Sequence, residues 1–218
     1  SLVFIFDCSG CMSEPTPVFA DKKEEVKPRF DVARDSFKVV LRNLANYPNA
    51  PYQVAVFVYG HRRGWGEDDK TIVTWDPQNP GQRKPAPNDG LRPGNDVELI
   101  WDMRPLTPAN VGELERKLDS LRCLGETPLY LAIRQAAALL KEKDPRSGRR
   151  IIAITDGINE QSSDQVDLVE LLRLLDQPDY RDIEVDILGF SLRDDDLRRM
   201  AQSRAAAFEK AHPGQFQQ

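Results

Sequence analysis

The sequence predicts an α/β fold in which helices cover both faces of a mostly parallel sheet with one antiparallel edge strand. Three observations predict it. Short apolar runs alternate with stretches whose apolar residues recur at helical spacing, the order expected of strands and crossover helices. The runs are apolar almost throughout rather than at every second position, which marks strands buried on both faces. One pair of runs, Gln53 to Tyr59 and Val97 to Trp101, has no helical stretch between its members, so it reads as an antiparallel hairpin at the edge.

Taken in order, Leu2 to Phe6 is the first strand, and it breaks into Asp7-Cys8-Ser9-Gly10-Cys11-Met12. That turn sits at the strand's carboxyl end, where open α/β sheets place their ligands. The prolines of Ser13 to Pro17 predict a loop. Phe30 to Leu44 carries Ala33, Phe37, Val40, Leu41 and Leu44 on one helical face, with Pro28 near its start. After the strand Gln53 to Tyr59, residues 61–96 become rich in glycine and proline, and only Lys70 to Trp75 has strand character. This segment is a long surface insertion between the second and third strands, and such loops are often functional. Its Trp65 and Trp75 are either interface anchors or pins that hold the loop to the body.

Beyond the edge strand, Asn110 or Thr107 caps a helix that buries Leu114, Leu118 and Leu121. A second helix runs from Leu129 to Leu140, and Thr127 before it reads, taken alone, as a plain N-cap. Arg150 to Thr155 is the fourth strand and ends in Asp156-Gly157. A carboxylate at the end of a buried strand is costly unless it is bonded or compensated. A helix over Val166 to Leu175 with Ser163 or Asp164 as cap, a fifth strand over Ile183 to Phe190, and a helix from Asp194 toward Phe208 complete the main body. Gly214 to Gln218 reads as the start of a further edge strand.

The composition is that of one globular domain over residues 1–218. A core strand beginning at residue 2 reads as a domain excised from a longer protein. The net charge of -5 argues against nucleic acid as a partner. No apolar run reaches the roughly 20 residues of a membrane-spanning helix, so no membrane contact by this domain is expected. Three cysteines, Cys8, Cys11 and Cys123, make no disulfide framework and lean toward the cytoplasm, with the compartment otherwise open. Cys8 and Cys11 form a C-x-x-C, but Asp7 beside them disfavours a thiolate, which weighs against a dithiol redox site.

Asp7 and Ser9 after one strand, Thr127 at a helix start and Asp156 after another strand offer two carboxylates and two hydroxyls. With waters, such donors suit an octahedral hard cation: Mg²⁺ first, with Mn²⁺ or Ca²⁺ able to substitute. Asp7-x-Ser9-Gly10-Cys11-Met12, Gly125-x-Thr127-Pro128-Leu129 and Thr155-Asp156-Gly157 resemble, in order and spacing, the three loops of the metal-ion-dependent adhesion site of von Willebrand factor type A domains. The resemblance covers essentially the whole chain and implies that family's three-layer, Rossmann-like α/β/α fold. It also implies that Ser9 and Thr127 ligate the metal directly, with Asp7 and Asp156 close in or acting through waters. The chain departs from the family at Cys11, which stands where the family has a second serine. A thiol is a poor ligand for Mg²⁺. The substitution weakens the site and lets a water take the position, or turns it toward a softer ion such as Zn²⁺ or Mn²⁺, or leaves it inert.

The resemblance implies a protein-protein interaction module. Its cation would bridge to an Asp or Glu from a partner protein or from another domain of the parent chain. A metal-independent structural or assembly domain is the alternative, and a metal-dependent hydrolase ranks third. The sequence shows no nucleophilic Asp-x-Asp and no Ser-His-Asp set, and no enzyme is expected. His61 and His212 read as solvent-exposed.

Overall fold

A computed structural model describes residues 1–20, 23–47, 51–144, 148–156, 159, 166–189 and 194–212. The chain runs β1 (Leu2–Asp7), β2 (Pro15–Ala20), β3 (Lys23–Pro28), α1 (Arg29–Ala45), β4 (Gln53–Tyr59), β5 (Gly64–Trp65), β6 (Ile72–Trp75), β7 (Arg83–Pro85) and β8 (Val97–Pro105). It continues through α2 (Val111–Asp119), α3 (Leu129–Lys143), β9 (Arg149–Thr155), α4 (Leu168–Leu175), β10 (Ile183–Gly189) and α5 (Asp194–Ala211). The main sheet has the order β10-β9-β1-β4-β8. Its strands are parallel except β8, which pairs antiparallel with β4.

The alternation hidden inside the apolar run of β1 sorts its side chains between two cores. Val3 and Ile5 join Phe57, Leu129, Ile133 and Ala136 under α3 and α4. Phe4, Phe6 and Cys8 join Phe37, Leu41, Leu114 and Leu118 under α1 and α2. On that second face the rings of Phe4 and Phe37 lie 4.8 Å apart, and Phe6 stacks on Phe37. The predicted three-layer α/β/α architecture is therefore the one observed.

The differences are local. Residues 15–28, expected to begin as a proline-marked loop, form an antiparallel hairpin, β2–β3, between the first strand's turn and α1. Proline is tolerated there because the hairpin is a lone two-stranded ribbon, with no ladder on its outer edges. The edge strand β8 extends to Pro105, past the expected Trp101. The 61–96 segment carries its own small sheet, β5-β6-β7, and folds back on itself. At its neck, buried Asp96 accepts from the backbone N–H groups of Arg62 and Arg63 and from Arg62 Nε.

Asn110 stands at the N-cap of α2 without a side-chain cap bond, while Asp167, not Ser163 or Asp164, caps α4 by accepting from the Glu170 N–H at 2.6 Å. Ser163, Asp164, Phe190 and Gly214 to Gln218 lie outside the described residues. Neither histidine is as exposed as expected. His61 is tucked against Glu98 at 2.9 Å with its side chain 11% exposed, and the mostly covered His212 lies 3.4 Å from Asp176.

Candidate functional site

The carboxyl ends of β1 and β9 and the turn before α3 meet at one rim of the sheet, and backbone bonds draw them together. Ser9 bridges Gly125 in a parallel sense, and the Gly10 N–H donates to the Gly125 carbonyl at 2.9 Å. The Leu124 N–H donates to the carbonyls of Cys8 and Gly60, and the Gly125 N–H to that of Gly60. Glycine is required at two of these positions. A Cβ on Gly125 would lie 2.1 Å from the Arg63 carbonyl, and one on Gly60 would lie 2.7 Å from that of Glu126. Gly60 also has φ of +73°, in the left-handed region. The start of the 61–96 segment is thus packed against the Thr127 turn, and Trp65 Nε1 donates to Glu126 at 2.5 Å. Trp65 acts as a pin.

Asp7 is fully buried at the end of β1. Its Oδ1 accepts from the Ser9 N–H at 2.7 Å, which shapes the turn, and its Oδ2 accepts from Thr155 Oγ1 at 2.6 Å. Burial pushes the Asp7 carboxyl up to about 6, and the hydrogen bonds from Thr155 and Ser9 hold it from going further. Ser9 is buried, and its Oγ makes no hydrogen bond of proper geometry, though it lies near enough to the Asp7 carboxyl to help hold its pKa down. Thr127 is buried one residue before Pro128, which occupies the N-cap of α3. Its hydroxyl therefore stands outside the N-cap position expected of it. That helix start is instead met from the β9 loop, where Asn159 Oδ1 accepts from the Tyr130 N–H at 2.9 Å.

Asp156 presents a fully buried side chain. Its Oδ2 accepts from Arg29 Nη1 at 2.8 Å, while Oδ1 is buried without a partner. Burial raises the Asp156 pKa, and the Arg29 hydrogen bond and charge oppose that rise. Arg29, at the first position of α1, also pairs with Glu14 at 2.9 Å. Sequence reasoning missed Arg29, Glu14 and Asn159. The one available signal was a cation at a helix start, against the macrodipole.

Cys11 lies exposed on a 3₁₀ turn over Gly10–Ser13, whereas Cys8 is buried in the core. Burial pushes the Cys8 thiol well above its ordinary range. The two sulfurs of the C-x-x-C therefore occupy opposite environments, which removes the basis for a dithiol site. Among the described residues, no three His, Cys, Asp or Glu side chains gather as a metal-holding group. A thiol at Cys11 suits a softer ion, and the hydroxyls of Ser9 and Thr127 suit a harder one. The oxygen donors fit a hard cation better. Ser9 Oγ and Asp156 Oδ1 are buried acceptors lacking partners, a state that costs free energy unless a water or ion completes it.

No family model matches the sequence, and no curated protein matches it. Solved structures do. The von Willebrand factor type A protein from Catenulispora acidiphila is similar over 96% of this chain and 40% of its own, at 16% identity and a TM-score of 0.51. The VWA domain of SpRpn10 is similar over 93% of this chain and 80% of its own, at 13% identity and a TM-score of 0.55. At such identities the likeness is one of architecture, and the chain has a von Willebrand factor type A-like fold.

Proposed function

We propose that this domain is a protein-interaction module that binds a partner's Asp or Glu through a divalent cation. Ser9 and Thr127 would hold the ion directly, with Asp7 and Asp156 close in or through waters and a water in the position that Cys11 vacates. Mg²⁺ is the first choice, with Mn²⁺ and Ca²⁺ as substitutes, and Zn²⁺ falls behind because the donors are oxygens. The observation that carries the reading is the pair of buried, unpartnered oxygens, Ser9 Oγ and Asp156 Oδ1, at the rim where the three loops meet. When bound, the ion supplies a Lewis-acidic position for an incoming carboxylate. The protein's own residues hold the ligands in place and shield them from water. The carboxylate would come from a partner protein or from another domain of the parent chain, and no nucleic acid or membrane enters the proposal. Among the described residues, no helix is long and apolar enough to cross a membrane.

Titration calorimetry with Mg²⁺ and Mn²⁺ tests this. Wild type should bind one ion, and both Thr127→Ala and Asp156→Asn should lose at least about tenfold in affinity. No heat from any of the ions, in protein shown to be folded, would sink the metal-bridged reading. A second reading, a metal-independent assembly domain, is favoured by one observation: Arg29 already places a positive charge on Asp156.

A further inference from the structure

Arg29 is an odd residue to find where it stands. It opens α1, at the end of the helix whose dipole disfavours a cation. Two carboxylates offset that cost. Nη1 donates to Asp156 at 2.8 Å and Nη2 pairs with Glu14 at 2.9 Å, so the guanidinium bridges an inner acid and an outer one. The two acids differ sharply in surroundings. The Asp156 side chain is fully buried, the Glu14 side chain is 57% exposed, and the Arg29 side chain between them is 21% exposed. A backbone bond from the Arg29 N–H to the Glu14 carbonyl fastens the base of the β2–β3 hairpin at this point. Glu14 and Arg29 therefore keep their separation whatever the side chains do.

The bridge takes Oδ2 of Asp156 and leaves Oδ1 without a partner. From this we infer that Arg29 is a built-in counter-cation that competes with the divalent ion for Asp156 and so sets the affinity of the site. The inference rests on the cation reading above and deepens it. An arriving divalent ion and the guanidinium are like charges on one buried carboxylate, where screening is weak. Glu14 gives Arg29 an alternative anchor, so the guanidinium can yield Asp156 and keep an ion pair at the surface. Cation affinity then depends on two residues that no part of the resemblance names as ligands, Glu14 and Arg29, and through them on the β2–β3 hairpin.

The experiment compares Mg²⁺ calorimetry and Mn²⁺ binding by electron paramagnetic resonance in wild type, Arg29→Met, Glu14→Gln and Asp156→Asn. Circular dichroism checks that each variant is folded. Arg29→Met should bind about tenfold more tightly than wild type, the coupling expected between two competing ligands. Glu14→Gln should bind more weakly, because Arg29 loses its second anchor and stays on Asp156. Binding by Arg29→Met alone, with none by wild type, upholds the competition but sinks the metal-bridged reading of the native protein. Equal affinity in wild type and Arg29→Met overturns it while leaving the cation site standing. No binding by either, both folded, overturns the inference and the cation reading together. Should Arg29→Met not fold, Glu14→Gln decides: weaker binding upholds the competition and unchanged binding ends it.

Discussion

The two halves of the candidate site are built in different ways. Ser9 and Thr127 are held by main chain: the bridge to Gly125, the bonds from Leu124 and Gly125 to Gly60, and glycines at the closest approaches. Asp156 follows β9, a strand just as firmly paired, but its carboxylate is held by the guanidinium of Arg29. A backbone lattice has one arrangement, while an ion pair between side chains has several. The hydroxyl half is a fixed cradle, and the carboxylate half is the adjustable part. Disturbing the main chain of the first half should therefore act on folding, while removing side-chain charge in the second should act on affinity.

The largest effect should come from breaking the cradle. Gly125→Ala puts a methyl 2.1 Å from the Arg63 carbonyl, and backbone cannot step aside cheaply. We expect a loss of about 3 kcal/mol or more by urea denaturation, or no folded protein at all. Gly60→Ala, which meets both a close contact and a positive φ, should behave similarly. A stability change below about 0.5 kcal/mol in both would show that the cradle is softer than its hydrogen bonds imply.

Next is the support beneath Asp7. Thr155→Val keeps the volume but removes the hydroxyl donor to a fully buried carboxyl. The expected cost is about 1–3 kcal/mol above pH 6. The folded pKa of Asp7, about 6, already lies above its ordinary 3.8, so ionisation costs the native state free energy as pH rises through that window. Losing a hydrogen bond to the charged form should raise the pKa further and make the variant's deficit smaller at pH 5 than at pH 7. Denaturation curves at the two pH values would settle the direction.

A milder change sharpens the contrast from the side of the 61–96 segment. Trp65→Phe removes the N–H that donates to Glu126 and keeps a ring. It should cost about 0.5–1.5 kcal/mol and raise amide exchange at Leu124 to Thr127 without touching Asp156. The smallest effect is a control on an exposed turn of the same segment. Asp68 titrates at about 2 because the Thr71 hydroxyl and amide and the Lys70 amide all donate to it. A folded pKa below the ordinary 3.8 means that this turn is fully supported above about pH 4 and loses support as pH falls toward 2. Amide exchange at Lys70 and Thr71 should rise selectively at pH 3, and Asp68→Asn should abolish that dependence.

Much of the site was legible because its parts are local. Asp7 and Asp156 each end an apolar run, and Ser9 and Thr127 occupy turns that glycine and proline punctuate. What escaped depends on partners distant in the chain. Nothing around Arg29 announces a partner at Asp156, and nothing near Asn159 announces that it meets the start of α3. The β2–β3 hairpin was hidden by its prolines, which argue against central strands but not against a lone ribbon. His61 read as exposed because its shelter, Glu98, lies across the whole 61–96 segment.

The alternation of buried strands and amphipathic helices, and with it the layered sheet and the rim where strand ends collect, can be read in the amino-acid order alone. Periodicity and turn chemistry act within a few residues, so they survive in one dimension. Tertiary packing wired the rim. It set Cys8 in the core and Cys11 in solvent, locked Ser9 to Gly125 by main chain, and gave Asp156 to Arg29. Burial and ion pairing are properties of what folds against a residue, and those neighbours come from anywhere in the chain.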